Sequence, residues 1–296
     1  MKVTLYCAHC LLERAVNQVK LATDDENTRL EVTTVMLQFL ADNFNDESVP
    51  SHIGTDRDLI VQEMTGKDPY AELKQISNQM ALSILPELKA LVDEAPNEDD
   101  RFRRAALIAA AANAIEFDVS GREFSLDDLR AILESVESDL VIDQVSEFMN
   151  LCRSVDEVTY LMDNSGEIVL DMILIGELRR IGPRVVAVVK GGPVLNDATM
   201  IDAEEVGLME CADEVRHTGA SAIGVNLERV SGEFKELFQK SQLIVAKGMG
   251  NYESLTELEP TAPVVHILRT KCSPVADHIG VARDKNVILI RYPKSG

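Results

Sequence analysis

After Ser154 the chain changes rhythm. Short β-branched runs alternate with amphipathic helical stretches, and no other feature restricts the fold as strongly. The runs are Val158–Met162, Arg184–Val189, Glu214–His217, Leu243–Ala246, Val264–Leu268 and Val287–Arg291. Helical patterns lie between them at Glu167–Ile181, Asp202–Met209, Ser231–Lys240, Ser254–Leu258 and Pro274–Ala282. Strands that are almost continuously apolar must be buried on both faces. This predicts a parallel sheet covered by helices on each side.

The first half carries helical periodicity only. Leu11, Leu12, Ala15, Val16 and Val19 recur at helical spacing. A second helix is expected from Thr28 to about Phe44, with Thr28 and Glu31 as a capping box. Further helices are expected over about 55–64, over 69–92 with a break or kink at Pro86, over 99–117, over 125–138 and over 141–151. The predicted fold class is therefore α/β: a helical N-terminal domain plus a Rossmann-like three-layer α/β/α domain with a mainly parallel sheet. The expected division is 1–152, mostly helical, and 153–296, the α/β/α domain that binds metal and phosphate. The Ala105–Ala112 helix is expected to offer a close packing face, to another helix or to the sheet.

Composition narrows the partners. With 29 basic and 50 acidic residues the formal charge is −21. That opposes nucleic acid, whose phosphates need clustered Lys and Arg, and opposes an anionic membrane surface. A span needs about 20 apolar residues, and the stretch near Ala105–Ile115 is shorter and interrupted by Asn113. Met1-Lys2-Val3-Thr4 leads to Cys7 without a signal-peptide core, so a cytoplasmic location is expected. Five irregularly spaced cysteines do not form a secreted disulfide framework.

In open α/β sheets, ligands bind beyond the carboxyl ends of the strands. Four segments fall there: Asp163-Asn164-Ser165-Gly166-Glu167, Lys190-Gly191-Gly192-Pro193-Val194-Leu195-Asn196-Asp197, Lys247-Gly248-Met249-Gly250-Asn251-Tyr252-Glu253, and Arg269-Thr270-Lys271-Cys272-Ser273-Pro274. Asp163, Asn164, Asn196 and Asp197 offer hard oxygen donors that suit Mg²⁺ or Mn²⁺. Lys190 and Lys247 each precede a glycine turn, where exposed N–H groups and an ammonium make an anion cradle. Arg269 and Lys271 add positive charge. Asp-Asn-Ser-Gly is also an ordinary turn and helix cap, and Lys-Gly-Gly alone is common. The conjunction on different strands carries the argument. There is no Gly-x-Gly-x-x-Gly or Walker-type loop, which disfavours NAD binding and P-loop NTPase chemistry.

Taken together, the Asp163–Glu167, Lys190–Thr199 and Lys247–Glu253 segments resemble the metal-dependent damage-control phosphatases, formerly domain of unknown function eighty-nine. The likeness extends to Cys7-Ala8-His9-Cys10, which is similar to the prokaryotic branch. It also includes Asn113-Ala114-Ile115-Glu116-Phe117, where Ala112 and Glu116 replace the family's Gly and Asp. The resemblance implies a phosphoric monoester hydrolase acting on small phosphometabolites, such as sugar phosphates or damaged phosphorylated cofactor intermediates. Its cofactor would be a divalent metal: Mg, Mn, Co or Ni. Motif matching places Asp163, Asn164 and Asp197 on the metal-ligand positions, and Lys247 with Gly248, Met249, Gly250 and Asn251 on the phosphate-binding positions. Asp163, Asp197 and Lys247 are the expected catalytic residues. Glu167, Lys190, Gly191, Asn196 and Arg269 are expected to support phosphate, with Asn113 and Glu116 behind the metal. Two routes are open: attack by water positioned by Asp197 or Asp163, or attack by a carboxylate to give an aspartyl phosphate.

Cys7 and Cys10 read equally as an auxiliary metal or redox pair and as two buried apolar side chains. Two other functions are compatible with such a sheet: a carboxyl methyltransferase using S-adenosylmethionine, and a non-catalytic phosphometabolite sensor. Neither substrate identity nor oligomeric state is encoded in any of these motifs.

Overall fold

The computed structural model describes residues 1–112 and 126–294. Asn113 and Glu116 lie outside the described residues. The chain opens with three helices, α1 (Leu5–Ala22), α2 (Glu26–Asn43) and α3 (Pro50–Thr65), which close on Ala15, Val19, Val32, Met36 and Val61. The expected capping box at Thr28 is displaced. Asp25 is the cap, and its carboxylate accepts from the Thr28 N–H and hydroxyl. An aspartate one turn earlier satisfies the free N–H groups just as well. α3 stops at Gly66, which takes the left-handed conformation (φ 67°) that glycine adopts at low cost.

α4 (Ala71–Asp93) runs through Pro86 as one helix, so of the expected break or kink the break does not occur. Its buried face, including Ala81, Ile84, Leu85, Leu88 and Leu91, spans the proline, and packing outweighs the lost hydrogen bond. α5 (Glu98–Ala112) buries every residue from Ala105 to Ala112 and packs on α8 (Glu167–Ile181). Alanines let the two backbones approach closely, while Ile168, Leu170, Leu174 and Leu178 fill the layer. Each such aliphatic side chain contributes roughly 1.5–3 kcal/mol through burial. Phe102 meets Phe148 edge-on, with ring centroids 5.1 Å apart.

α6 (Leu126–Ser138) leads to a strand, β1 (Leu140–Asp143), where a helix was expected; only α7 (Val145–Cys152) is helical there. Leu140-Val141-Ile142 pairs with the last strand, where half-buried and exposed residues alternate, a surface that suits β-branched side chains. The remaining elements are β2 (Glu157–Leu161), β3 (Arg184–Val189), α9 (Met200–Glu205), α10 (Leu208–Cys211), β4 (Glu214–His217), α11 (Gly232–Lys240), β5 (Ile244–Lys247), α12 (Gly248–Leu255), β6 (Val264–Arg269), α13 (Ser273–Ile279) and β7 (Asn286–Arg291). They form one seven-stranded sheet in the order β1-β7-β6-β5-β2-β3-β4. All pairings are parallel except β6–β7. The first strand thus lies upstream of residue 153, and α4 to α7 share the sheet's main hydrophobic core. Among the described residues, no helix is long and apolar enough to cross a membrane.

From β2 the chain steps outward through β3 and β4, then returns to β5 on the other side and proceeds through β6. The direction of winding therefore reverses between β2 and β5. Crossovers that leave in opposite directions open a crevice at such a point, which is where α/β sheets bind ligands.

His266 on β6 is fully buried, packs edge-on against Tyr252, and makes no hydrogen bond at either ring nitrogen among the described residues. Burial pushes its pKa down to about 3, so the fold accepts only the neutral ring. The unfolded imidazole titrates near 6.5, so this residue's support is complete above that pH. It is lost as pH falls toward 3, at about 1.4 kcal/mol per unit. H266F should remove this component, and urea denaturation at pH 7 and pH 5 would read it. An identical pH dependence in both proteins would contradict the assignment.

Candidate active site

The crevice at the β2/β5 reversal holds a cavity of about 470 Å³. Asp163 and Asn164 follow β2 and reach it just before α8 begins. Asn196 and Asp197 reach it from the loop after β3. Two backbone hydrogen bonds clamp these loops together: Ala198 N–H to Asp163 O at 2.8 Å and Ser165 N–H to Asn196 O at 2.9 Å. Asn164 and Asp197 thereby face each other as an isolated antiparallel bridge. Leu195, in the same loop, takes φ 46°, a left-handed conformation that costs about 1 kcal/mol in a residue with a side chain. Its N–H is fastened to the Asp58 carboxylate of α3 at 3.1 Å.

The carboxylates here outnumber the ammonium groups. Asp163, Glu167, Asp171 and Asp197 are buried together with Lys190 and Lys247. Lys247 is fully buried and lies 2.6 Å from Asp171 and 3.8 Å from Glu167. Lys190 lies 3.5 Å from Asp197 and donates to Gly224 O at 3.2 Å. Burial, Glu167 and Asp197 push the Asp163 carboxyl well above the usual carboxylate range. Burial also pushes Asp197 up to about 6, against the opposing pull of Lys190. Asp171 rises to about 6 for the same first reason, held back by Lys247. A cluster left two positive charges short is a place where a divalent cation is favourable.

The donor set can be tested for a cation on its own geometry. Asp197 Oδ2 is buried and, among the described residues, makes no hydrogen bond; its neighbour is Lys190 Nζ at 3.5 Å. Asn164 Nδ2 donates to Asp163 Oδ2 at 3.1 Å and to Glu167 Oε1 at 2.7 Å, so its amide is turned with the carbonyl oxygen away from those acids. Gly248 has φ 74°, and a Cβ there would meet Asp163 Oδ2 at 1.8 Å. The backbone is thus drawn against the carboxylate as only glycine permits. Among the described residues, no group of three or more His, Cys, Asp or Glu side chains is arranged to hold a metal. A cation here would take two carboxylates and an amide, with water or substrate completing the shell. Magnesium-like ions, which keep several waters, suit such a set.

The other expected residues divide between wall and support. Met249 and Gly250 line the cavity. Asn251 lies behind it, donating to Met162 O at 3.2 Å and Lys247 O at 2.8 Å, which ties β2 to β5. Lys190, Lys247 and Glu167 also stand behind the wall. Gly191 lies outside the cavity lining, and its N–H is taken by Ala220 O at 3.0 Å. Arg269 turns toward the β1/β7 edge, 3.6 Å from Asp139 and 3.4 Å from Asn286 Oδ1. Lys271, two residues on, does line the cavity. Cys7, Cys10 and Cys272 are free thiols on that same wall.

Sequence reasoning missed three participants. Asp171 neutralises Lys247, and the signal was an acid inside the apolar run Ile168–Ile175. Asp58 fastens the Leu195 loop, and Arg57 lines the cavity beside it. For Arg57 the signal was its position four residues from both Ile53 and Val61, on an apolar helical stripe.

Comparison with known proteins covers the whole site. A family model described as the damage-control phosphatase ARMT1-like domain matches residues 3–287. A protein of Archaeoglobus fulgidus named damage-control phosphatase is 35% identical over 283 residues, spanning 95% of this chain and 96% of its own length. A damage-control phosphatase of Pyrococcus horikoshii is 32% identical over 292 residues, 98% of each chain. The crystal structure of a DUF89 family protein from Pyrococcus horikoshii superposes with a TM-score of 0.87 at 32% identity, covering 98% of this chain and 99% of that one.

Proposed function

Because the chain belongs to the damage-control phosphatase ARMT1-like family, we propose that it is a metal-dependent phosphatase of small phosphorylated metabolites, with Asp163, Asn164 and Asp197 holding the metal. The observation that carries this reading is the bridge that sets Asn164 opposite Asp197 at the winding reversal, inside a cavity of metabolite size. A divalent cation bound there would supply Lewis-acid polarisation of the phosphoryl group. The protein's own part is positioning. The Asp163 and Asp197 carboxylates are fixed by the clamped loops, and either can hold the proton of an attacking water. Lys190 and Lys247 keep the two loops charged but compact, and the Gly248–Asn251 turn brings β5 against Asp163. The substrate class is sugar phosphates or damaged phosphorylated cofactor intermediates, and the preferred ion is among Mg, Mn, Co and Ni.

The test is phosphate release over a metabolite panel after chelation, with each ion restored in turn. Release that survives complete chelation would remove the metal; no release from any ester, despite metal binding, would favour a sensor. Gly248 provides a sharper check. G248A would push the Asp163 carboxylate aside, and a displacement of that order costs about 10²-fold in rate. Alanine at φ 74° also strains the backbone, so the expected result is a large fall in kcat together with a lowered melting temperature, the rate being read where the variant is still folded. A G248A enzyme with the wild-type rate would show that the close approach to Asp163 is unimportant.

A further inference from the structure

Four cationic side chains are buried among the described residues: Arg57, Lys74, Lys190 and Lys247. Three have a carboxylate beside them. Lys74 is 3.0 Å from Asp202, Lys190 is 3.5 Å from Asp197, and Lys247 is 2.6 Å from Asp171. Arg57 differs. It is 1% exposed, and its Nε and Nη2 atoms have no hydrogen-bond partner. Its neighbour Asp58 is already committed: one oxygen accepts from Gln18, the other from Gln62 at 2.6 Å and from Leu195 N–H at 3.1 Å. Glu253 lines the same cavity, where burial pushes its carboxyl up to about 7 against the pull of Arg14, the N-terminus and Arg57, but no salt bridge joins it to Arg57 among the described residues. A buried guanidinium with two nitrogens lacking hydrogen bonds and no salt bridge is costly. A fold retains one readily where an anion that comes and goes supplies the missing charge.

The placement of Arg57 says where that anion sits. α3 is held over the strand ends by Asp58 to Leu195 and by Thr55 Oγ1, which accepts from Ile223 N–H at 2.9 Å. Arg57 therefore forms part of the same wall system as Asp163 and Asp197, with Arg14 of α1 and Lys271 nearby on the lining. Lys190 and Lys247 are internally neutralised, which leaves this basic side of the cavity to meet a ligand's negative charge. A guanidinium presents parallel N–H groups that match the oxygens of a phosphate or carboxylate.

We propose that Arg57 is the anion-binding group of this cavity, receiving a phosphate or carboxylate of the substrate across from the acidic wall, with Arg14 and Lys271 supplementing its charge. The assignment rests on the phosphatase reading for the identity of the substrate, and it names the residue that recognises that substrate. Two sources of the anion are chemically equivalent at Arg57: the phosphoryl group to be released, and a second acidic group on the same molecule.

The experiment uses the full chain as wild type, R57M and R57Q, and reads binding by calorimetry without turnover. The probes are inorganic phosphate, with and without Mn²⁺, and, under chelation so that neither ester is hydrolysed, the phosphate of an uncharged sugar and a phosphate ester that also carries a carboxylate. R57M is expected to weaken at least one probe tenfold or more, while its melting temperature without ligand stays level or rises. Equal losses on all three probes assign Arg57 to the transferable phosphoryl group. Loss confined to the carboxylate-bearing ester assigns it to a second acidic group. All three probes binding R57M within twofold of wild type would overturn the proposal, as would a lowered melting temperature with unaltered affinities. If R57M does not fold, R57Q is read against the same limits. A wild-type protein that binds phosphate through Arg57 yet releases none from any ester with any metal would sink the phosphatase reading and leave this one standing.

Discussion

D163N should lose metal-dependent phosphate release almost completely, by about 10³-fold or more in kcat/KM, while folding as well as the wild type. Asn is nearly isosteric with Asp, so the loop geometry set by Ala198 N–H to Asp163 O is retained. What disappears is one of the two carboxylates of the proposed metal set, and with it charge that would bind a divalent ion. A loss of 10³-fold corresponds to about 4 kcal/mol of transition-state stabilisation. Stability should move the other way. Asp163 is buried beside Glu167 and Asp197, and that environment disfavours its charged form. Replacing it by a neutral amide removes repulsion in the metal-free protein. Denaturation after chelation is expected to show D163N no less stable than wild type, and phosphate release is measured on the same preparation. A full metal-dependent rate in D163N would remove the core of the proposed function.

K247M should produce the largest stability loss of any single substitution at the site. Lys247 and Asp171 form an ion pair with no exposure on either side chain. Removing one member of a buried pair leaves the other charge uncompensated, at a cost of about 3–5 kcal/mol. Asp171 would then take up a proton more readily, so the loss should shrink as pH is lowered toward its pKa of about 6. The double variant K247M/D171N tests the cause. It removes both charges, and most of the lost stability should return in urea denaturation. Wild-type stability in K247M would show that the pair contributes nothing. Activity separates two roles: a double variant that is stable yet slow places Lys247's charge in the chemistry, whereas one with the wild-type rate makes it purely structural.

Much of this molecule was legible before its tertiary structure. The strand runs between Val158 and Arg291 correspond to β2–β7, because period and turn residues are local signals. The motifs at Asp163, Asp197 and Lys247 fall at strand ends for the same reason. Local signals failed where packing overrode them. Pro86 sits in a continuous helix because α4 buries one long face. Leu140–Asp143 became a strand because β7 offered an edge almost 150 residues away in sequence. Val141 and its neighbours carry no periodicity long enough to announce that.

The site divides along the same line. The chain alone determined which residues could bind a cation, since carboxylates and an amide after apolar strands are written in its order. It also determined the charge of −21 that makes a polyanionic partner unfavourable. Only the tertiary structure decided which charges cancel. Lys190 and Lys247, which read as free anion binders, are spent on Asp197 and Asp171, while Arg57, on an apolar helical stripe, is the buried cation that has no salt bridge among the described residues. Charge type is a property of the residue. Neutralisation depends on which groups share a low-dielectric interior, and for Lys247 and Asp171 that pairing spans 76 residues of chain.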